Sequence, residues 1–379
     1  MAKKAFDILK EVSPEAVEYY SDPKGGLAEA QETFRKISTG TENRRTPGTF
    51  GGRNPFLLTM DSAKLEHNST SGLRRVQNSL QAIQYLDPSD SSGLCNTCGS
   101  ETRGCSAVCL RESGRMGKIP GVGHAPHVRT NFMVQEPEKY LGLLNHSITR
   151  HEALARRMDK ESIVRLNGTS DIDYDKLPSG AVLIGGHPRT TFSEYTKHGT
   201  RDTLGQESAS PFKNYYRIHS VSENTTARRI REITDQGGNV AVPFYTPSKG
   251  FEFPDEMRLT DKRGESIDLP VVKETIGRGR SAQRVSVGDL HDQRAHDPQI
   301  GGIVALRYKV PTNPEVGSMP ESHGFIRDIQ VPDRNKQVYF GMNAPKVNQI
   351  NRNLATQFGG TPVTVRSGKQ SPSVPLIPE

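Results

Sequence analysis

Apolar and polar positions change their rhythm along this chain. In LAEAQETFRKI the apolar residues recur at roughly helical spacing, and GTENRRTPG closes the run with Gly and Pro. This predicts a charged, helical N-terminal extension over residues 1–45. From about residue 50 to 315 short apolar or β-branched runs end in polar residues, and helical or loop segments follow. FLLTM (56–60), SIVRLNGTSD (162–171), AVLIGGHP (181–188), TFSEYTK (191–197), YYRIHSVSE (215–223), NVAVPF (239–244), RVSVGDLHDQR (284–294) and IVALRYK (303–309) read as strands. LRRVQNSLQAIQYL (73–86), EPEKYLGLLNHSITRHEALARRM (136–158) and NTTARRIREITDQG (224–237) read as helices. The second of these has Pro137 in its first turn, and the third opens on Asn/Thr and stops at Gly-Gly.

Strands alternating with helices predict a parallel sheet. Their number over residues 46–312 fits an α/β fold of the closed (β/α)8 TIM barrel type better than a doubly wound sheet. No G-x-G-x-x-G follows an early strand, which weakens a dinucleotide-binding reading. Residues 246–283 are rich in charge and Gly and long for a βα loop, so they read as an insertion that covers or builds a site. Pro, Gly, Asn and Gln dominate residues 313–379, which predicts an irregular, partly flexible C-terminal segment.

Composition narrows the class. Hydrophobic content of 33%, aromatic content of 6% and the absence of Trp are lean, so part of the chain is expected to pack no core. A net charge of +7 fits a nucleic-acid partner and fits an ordinary basic protein as well. No apolar run approaches the ~18 residues of a spanning helix. The start, MAKKAFDILKEVSPEAVEYY, lacks the apolar core of a signal peptide. No membrane partner is expected, and the expected location is the cytoplasm of a bacterial host.

Chemistry-bearing residues concentrate in two places. All four cysteines, Cys95, Cys98, Cys105 and Cys109, lie in CNTCGSETRGCSAVC. Four thiolates on one short loop suit a tetrahedral zinc site or an iron–sulfur cluster, with disulfides or free thiols as the other reading. The spacing is neither that of ordinary zinc ribbons nor the C-x3-C-x2-C of radical enzymes that bind S-adenosylmethionine. His124 and His127 in GVGHAPHVR are possible extra ligands.

Strand ends are the second place, because a barrel's catalytic groups sit there. Arg165, Asn167, Ser170, Asp171 and Asp173 end one run; Tyr195 and Lys197 end another; His219, Ser220, Ser222 and Glu223 end a third. Asp289, His291, Asp292, Arg294, His296 and Asp297 crowd a fourth end, and Arg307 and Lys309 the last. Plain structural readings stand beside these. TSDIDYD is also good helix-capping text, HDQRAHDP also an ion-paired turn, and RRIRE (228–232) also the wet face of a helix rather than a phosphate contact. Paired carboxylates can divide labour between nucleophile and acid or base, and Asp171 with Asp289 is the pair this pattern picks. Asp173 and Asp292 are their neighbours. Lys197, Arg307 and Lys309 are placed to neutralise phosphates. Phe192, Tyr195, Tyr215, Tyr216 and Phe244 are candidates for lining a base pocket.

The ordered set CNTCGSETRGCSAVCL, VRLNGTSDIDYD, FSEYTK, YRIHSVSE, GGNVAVPF, VGDLHDQRAHDP and IVALRYK resembles the gene-product-88-like family of actinobacteriophage proteins over roughly residues 45–310. That family in turn resembles phage DNA 7-deazaguanine transglycosylases, which are similar to the tRNA-guanine transglycosylases. The resemblance implies a (β/α) barrel, a structural zinc held largely by cysteines, and two aspartates that exchange guanine for a modified base at the sugar anomeric carbon. The implied activity is that of a pentosyltransferase replacing guanine in double-stranded DNA by a 7-deazaguanine base such as preQ0. One departure stands out. The tRNA enzymes carry three Cys and one His after the nucleophile, whereas four Cys precede Asp171 here. Two other functions fit the same residues: an iron–sulfur, radical-type barrel enzyme, and a non-enzymatic DNA-binding or replication-associated protein.

Overall fold

The structure is a computed structural model and describes residues 3–40, 57–60, 78–107, 109, 120–198, 210–246, 251–276, 282–290, 293–308, 327, 329, 330 and 332. Three helices open it: α1 (Ala5–Leu9), α2 (Pro14–Ser21) and α3 (Leu27–Gly40). Ser13 caps α2 by accepting the Ala16 N–H, and Pro14 follows in the first turn, as helix starts favour. Strands β1 (Thr59–Met60) and β2 (Ser79–Ile83) come next, then α4 (Arg103–Ala107), α5 (Pro120–Gln135) and the long α6 (Pro137–Arg157). After them run β3 (Glu161–Arg165), β4 (Thr190–Thr196), β5 (Tyr215–Ser220), α7 (Ala227–Thr234) and β6 (Val240–Phe244). The rest comprises β7 (Glu256–Thr260), β8 (Ser266–Pro270), β9 (Lys273–Ile276), β10 (Gln283–Ser286), α8 (Val287–Leu290) and β11 (Ile303–Arg307).

The main sheet has the order β1-β2-β3-β4-β5-β6-β11, with β1 antiparallel and the other six strands parallel. It is an open, curled half-barrel and not the closed (β/α)8 barrel that the pattern predicts. Two of the runs counted as barrel strands are used otherwise. Residues Ala181–Gly185 form a π-helical turn, in which neighbours Leu183 and Ile184 are both buried where a half-buried strand would alternate. Strand β10 pairs antiparallel with β9 in a separate two-stranded sheet. The expected helix over 73–86 is also corrected. Residues Ser79–Ile83 are a strand held between β1 and β3, because sheet pairing on both sides overrides a helical period; residues 73–77 lie outside the described residues.

The interior that further strands would have closed is filled by residues 293–299. Gln293 donates to Ser79 at the start of β2, and His296 pairs with Glu161 at the start of β3 at 2.9 Å. Tyr216 in β5 donates to Gln299 at 3.1 Å, and Asn239, just before β6, donates to the Pro298 carbonyl at 2.9 Å. Inside this plug Arg294 and Asp297 form a fully buried ion pair at 3.0 Å. The plug therefore sits at the N-terminal ends of the strands. The C-terminal edge remains for other uses.

On the other face α5 and α6 and the N-terminal helices share one core. Ala5, Leu9, Val17, Leu27, Ala30 and Phe34 pack into the cluster that holds Phe132, Leu141, Leu144, Val164 and Phe192. The N-terminal segment is thus part of the main core. Gly142 on α6 lets α2 lie directly against it: a Cβ there would stand 2.3 Å from the Tyr20 Cβ and 2.8 Å from its carbonyl carbon. Gly142→Ala is expected to destabilise the protein by about 2–3 kcal/mol, as overpacking against backbone does, which urea unfolding measures. The stretch expected as an insertion folds as the β7–β8 hairpin, whose Met257, Leu259 and Leu269 pack with Ile230, Ile233 and Ile303. No helix among the described residues is long and apolar enough to cross a membrane.

Candidate functional site

Crossing from β3 to the π-helical turn, residues 166–175 are held by one buried side chain. Glu194 of β4 accepts the Leu166 N–H at 2.6 Å and the Asn167 N–H at 2.9 Å. Asn167 then organises the loop from within. Its Oδ1 accepts from Ser170 Oγ at 2.8 Å and from the Ile172 N–H at 2.9 Å, and its Nδ2 donates to the Ile172 carbonyl at 2.9 Å. Arg165 lies over the Tyr195 ring, 4.5 Å from its centroid, and donates to the Asn167 carbonyl at 3.1 Å. This framework presents Asp171 and Asp173 at the C-terminal edge of the sheet, where open α/β sheets bind their ligands.

Burial pushes the Glu194 carboxyl up to about 8, against the pull of Arg165 and the two amides. A folded value above the unfolded one means that the folded state holds the proton more tightly. The stability contribution is complete below about 4.5 and is lost as pH rises through 8. We expect unfolding free energy to fall by roughly 3–5 kcal/mol between pH 5 and pH 9 from this group, and Glu194→Gln to flatten that slope in urea titrations. His219 at the end of β5 moves the other way. Burial, Arg229 and Lys197 lower it to about 4, so it stays neutral at neutral pH.

Asp171 and Asp173 flank one imidazole. His198 Nε2 stands 3.7 Å from Asp171 Oδ1 and donates to the Asp171 carbonyl at 3.0 Å; its Nδ1 stands 3.7 Å from Asp173 Oδ2 and 2.9 Å from Ser100 Oγ. The carboxylates differ in their partners. Asp173 meets Arg217 at 3.3 Å and Lys176 at 3.3 Å. Asp171 accepts the Lys197 backbone N–H on Oδ2 at 2.9 Å, which turns Oδ1 toward His198. These three residues line a small cleft of about 120 Å³ together with Lys4, Phe6, Asn96, Thr97, Gly99 and Ile172. The N-terminus forms one wall, because Ala5 donates to the Asn96 carbonyl at 2.8 Å and Asn96 to the Lys3 carbonyl at 2.9 Å.

The cysteine loop lies over this same edge and is fastened to successive strand ends. Cys98 bridges Asp171 after β3, Ser100 contacts His198 after β4, and Glu223 after β5 accepts Thr102 Oγ1 at 2.7 Å and the Gly104 N–H at 2.9 Å. The four thiols do not converge, which corrects the expected four-cysteine metal loop. Cys95 is fully buried in the main hydrophobic core, and burial followed by Asp87 pushes its thiol up to about 11. Cys98 accepts the Ser89 N–H at 3.3 Å and donates to the Thr169 carbonyl at 3.5 Å. Among the described residues no three His, Cys, Asp or Glu side chains gather to hold an ion. Four-thiolate zinc and an iron–sulfur cluster both need such a convergence. His127 pairs with Asp87 at 2.8 Å and stacks on His124.

The remaining candidates are placed as follows. Asp289 in α8 makes a bidentate pair with Arg307 at the end of β11, at 2.6 and 2.7 Å. Asp171 follows β3, and four inter-strand steps separate β3 from β11, roughly 19 Å along the sheet, so Asp289 and Asp171 are not brought together. Arg294 belongs to the plug at the opposite ends of the strands. Ser222 accepts from the Asn224 N–H, and its own N–H donates to Thr225 Oγ1, which shapes the turn before α7. Ser220 continues the β5–β6 pairing. Arg228 and Arg229 on α7 pair with Glu232. Phe192, Tyr215 and Phe244 are core residues, and Tyr195 and Tyr216 pack on the opposite face of the sheet. His291, Asp292 and Lys309 lie outside the described residues. The sequence pattern does not single out His198, Lys4, Phe6 or Glu194. His198 follows the TFSEYTK run by one residue, so the strand-end rule extended by one position finds it. Lys4 and Phe6 reach the cleft only through tertiary packing.

Fold and site together define an open, parallel α/β half-barrel protein with a polar cleft at its C-terminal edge. The chain belongs to the gene product 88 family, a phage protein family, whose profile matches residues 57–309. No curated protein and no solved structure matches it.

Proposed function

We propose that this protein is an enzyme acting at the Asp171–His198–Asp173 cleft, and that the substrate is a guanosine of DNA whose base is exchanged for a 7-deazaguanine. The observation that carries this reading is that two carboxylates and an imidazole line one cleft at the C-terminal edge of the parallel strands. Asp171 and Asp173 flank a single imidazole ring, each 3.7 Å from one of its nitrogens, and paired carboxylates are the groups that work on glycosidic bonds.

In the proposed reaction Asp171 Oδ1 attacks the anomeric carbon. The C1′–N9 bond breaks and guanine leaves with the bonding pair, taking a proton from the His198 imidazolium. The incoming base then gives a proton to His198 and attacks the same carbon, and the Asp171 ester bond breaks. Asp173, held between Arg217 and Lys176, supports the imidazolium by charge. The target nucleotide has to leave the helix stack to reach such a cleft. Lys4 at the cleft wall is placed for its phosphate. The test is incubation of the purified protein with duplex DNA and isotope-labelled preQ0 or guanine, followed by nucleoside mass spectrometry. The reading requires labelled nucleoside in the DNA, and DNA that binds but gains no label contradicts it.

A further inference from the structure

Ser100 takes no part in base exchange, yet its Oγ lies 2.9 Å from His198 Nδ1. The direction of that hydrogen bond follows from the other ring nitrogen. His198 Nε2 faces the Asp171 carbonyl at 3.0 Å, and a carbonyl can only accept, so the neutral ring carries its proton on Nε2. Nδ1 then offers a lone pair, and the Ser100 hydroxyl donates to it. A hydroxyl within reach of a base, with a third group orienting that base, is the arrangement that activates a serine oxygen. Asp171 and Asp173, each with an oxygen 3.7 Å from one ring nitrogen, support by charge the imidazolium that proton transfer creates.

Both members of the pair are held from outside it. Ser100 sits between two anchors of its loop. On one side Cys98 bridges Asp171, and on the other Thr102 Oγ1 donates to Glu223 at 2.7 Å. The Glu101 N–H closes the turn onto the Cys98 carbonyl at 3.2 Å, and Glu101 Oε1 accepts from Asn96 at 2.9 Å. The His198 N–H donates to Thr196 Oγ1 at the end of β4 at 3.0 Å. Gly99 leaves the approach open. It is exposed and lines the cleft, and a Cβ there would stand 3.5 Å from His198 Cε1, so any side chain would cover the ring beside Ser100.

We propose that Ser100 is a nucleophilic serine with His198 as its general base, and that it takes the acyl group of a small activated ester. The small cleft beside it limits that acyl group to a few carbons. This goes beyond the base-exchange reading. It shares His198 with that reaction but uses neither DNA nor Asp171 as a nucleophile. Ser100 Oγ forms a bond to the acyl carbon while its proton passes to His198 Nδ1. The ester C–O bond then breaks, and the alcohol oxygen leaves with the bonding pair and takes the proton from His198. Water, giving a proton to the same nitrogen, attacks the acyl carbon. The Ser100 oxygen leaves with its bonding pair, regains a proton from His198, and a carboxylic acid is released.

The test is p-nitrophenyl acetate added to the full folded chain near pH 7, with no DNA and no purine base present. Nitrophenolate release is followed through the first turnover, the reaction is quenched in acid, and acetyl groups are mapped by peptide mass spectrometry. An acetyl group is expected on Ser100, with release that Ser100→Ala abolishes. His198→Gln is expected to slow acetylation of Ser100 by about 10²-fold or more, as loss of a general base does. Asp171→Asn keeps the backbone carbonyl that orients the ring and is expected to stay within about tenfold of wild type. The wild-type map decides the matter even if His198→Gln does not fold. Acetyl groups on lysines or cysteines with none on Ser100 overturn the proposal. So does an unchanged rate in folded His198→Gln. Failure here leaves the incorporation of labelled base untouched, and failure of that assay leaves this one untouched.

Discussion

Asp171→Asn is expected to lower base exchange by at least ~10³-fold, as loss of a nucleophile does, while Asp289→Asn leaves it within a few-fold of wild type. Asn keeps the size of the side chain and an oxygen acceptor for the Lys197 N–H, so the loop that Glu194 and Asn167 hold should survive. What it loses is the charge of Oδ1 facing His198. Asp289 has the opposite character. Both of its oxygens are engaged by Arg307 at the far end of the sheet. The comparison separates the two aspartates that sequence pattern alone pairs, and single-turnover incorporation of labelled base measures it. A non-enzymatic DNA-binding protein would show neither effect and would keep its DNA affinity in both variants.

The largest effect on stability is expected at the plug. Asp297→Ala leaves the Arg294 guanidinium without its ion-pair partner in the interior, where both side chains are fully buried. Breaking a buried pair in this way costs about 3–5 kcal/mol. For a chain of this size that corresponds to a fall of about 10 °C in Tm, read by thermal unfolding followed by circular dichroism. Exposed Arg228, which pairs with Glu232 at 3.1 Å on the α7 surface, sets the contrast. Arg228→Ala should change stability by less than about 1 kcal/mol.

These two sites also mark what the sequence makes legible. Strand ends 165–173 and 195–197 were readable because an apolar run stopping at polar residues is a local signal, and Asp171 and Asp173 do line one cleft. The helices at 137–157 and 227–234 were readable from their period and caps. Closure was not readable. Whether QRVS joins a parallel sheet or folds back on KETI depends on partners distant in the chain. QRAHDP (293–298) has the same polar text whether it ends a barrel strand or plugs the opposite mouth, and only the contacts from Gln293 to Ser79 and from His296 to Glu161 decide. The cysteine run misled for a similar reason. Spacing suggests one ion, but Cys95 faces the core and Cys98 the Thr169 carbonyl. Side-chain direction on an irregular loop is a tertiary property.

The central claim is that the carboxylate in this cleft attacks the sugar. Its most direct test is to incubate the protein with guanine-containing duplex DNA without an incoming base, quench in acid, digest, and map the covalently modified peptide by mass spectrometry. The account predicts a deoxyribosyl adduct on Asp171, absent in Asp171→Asn. An adduct on another residue, or efficient base exchange by Asp171→Asn, would contradict it.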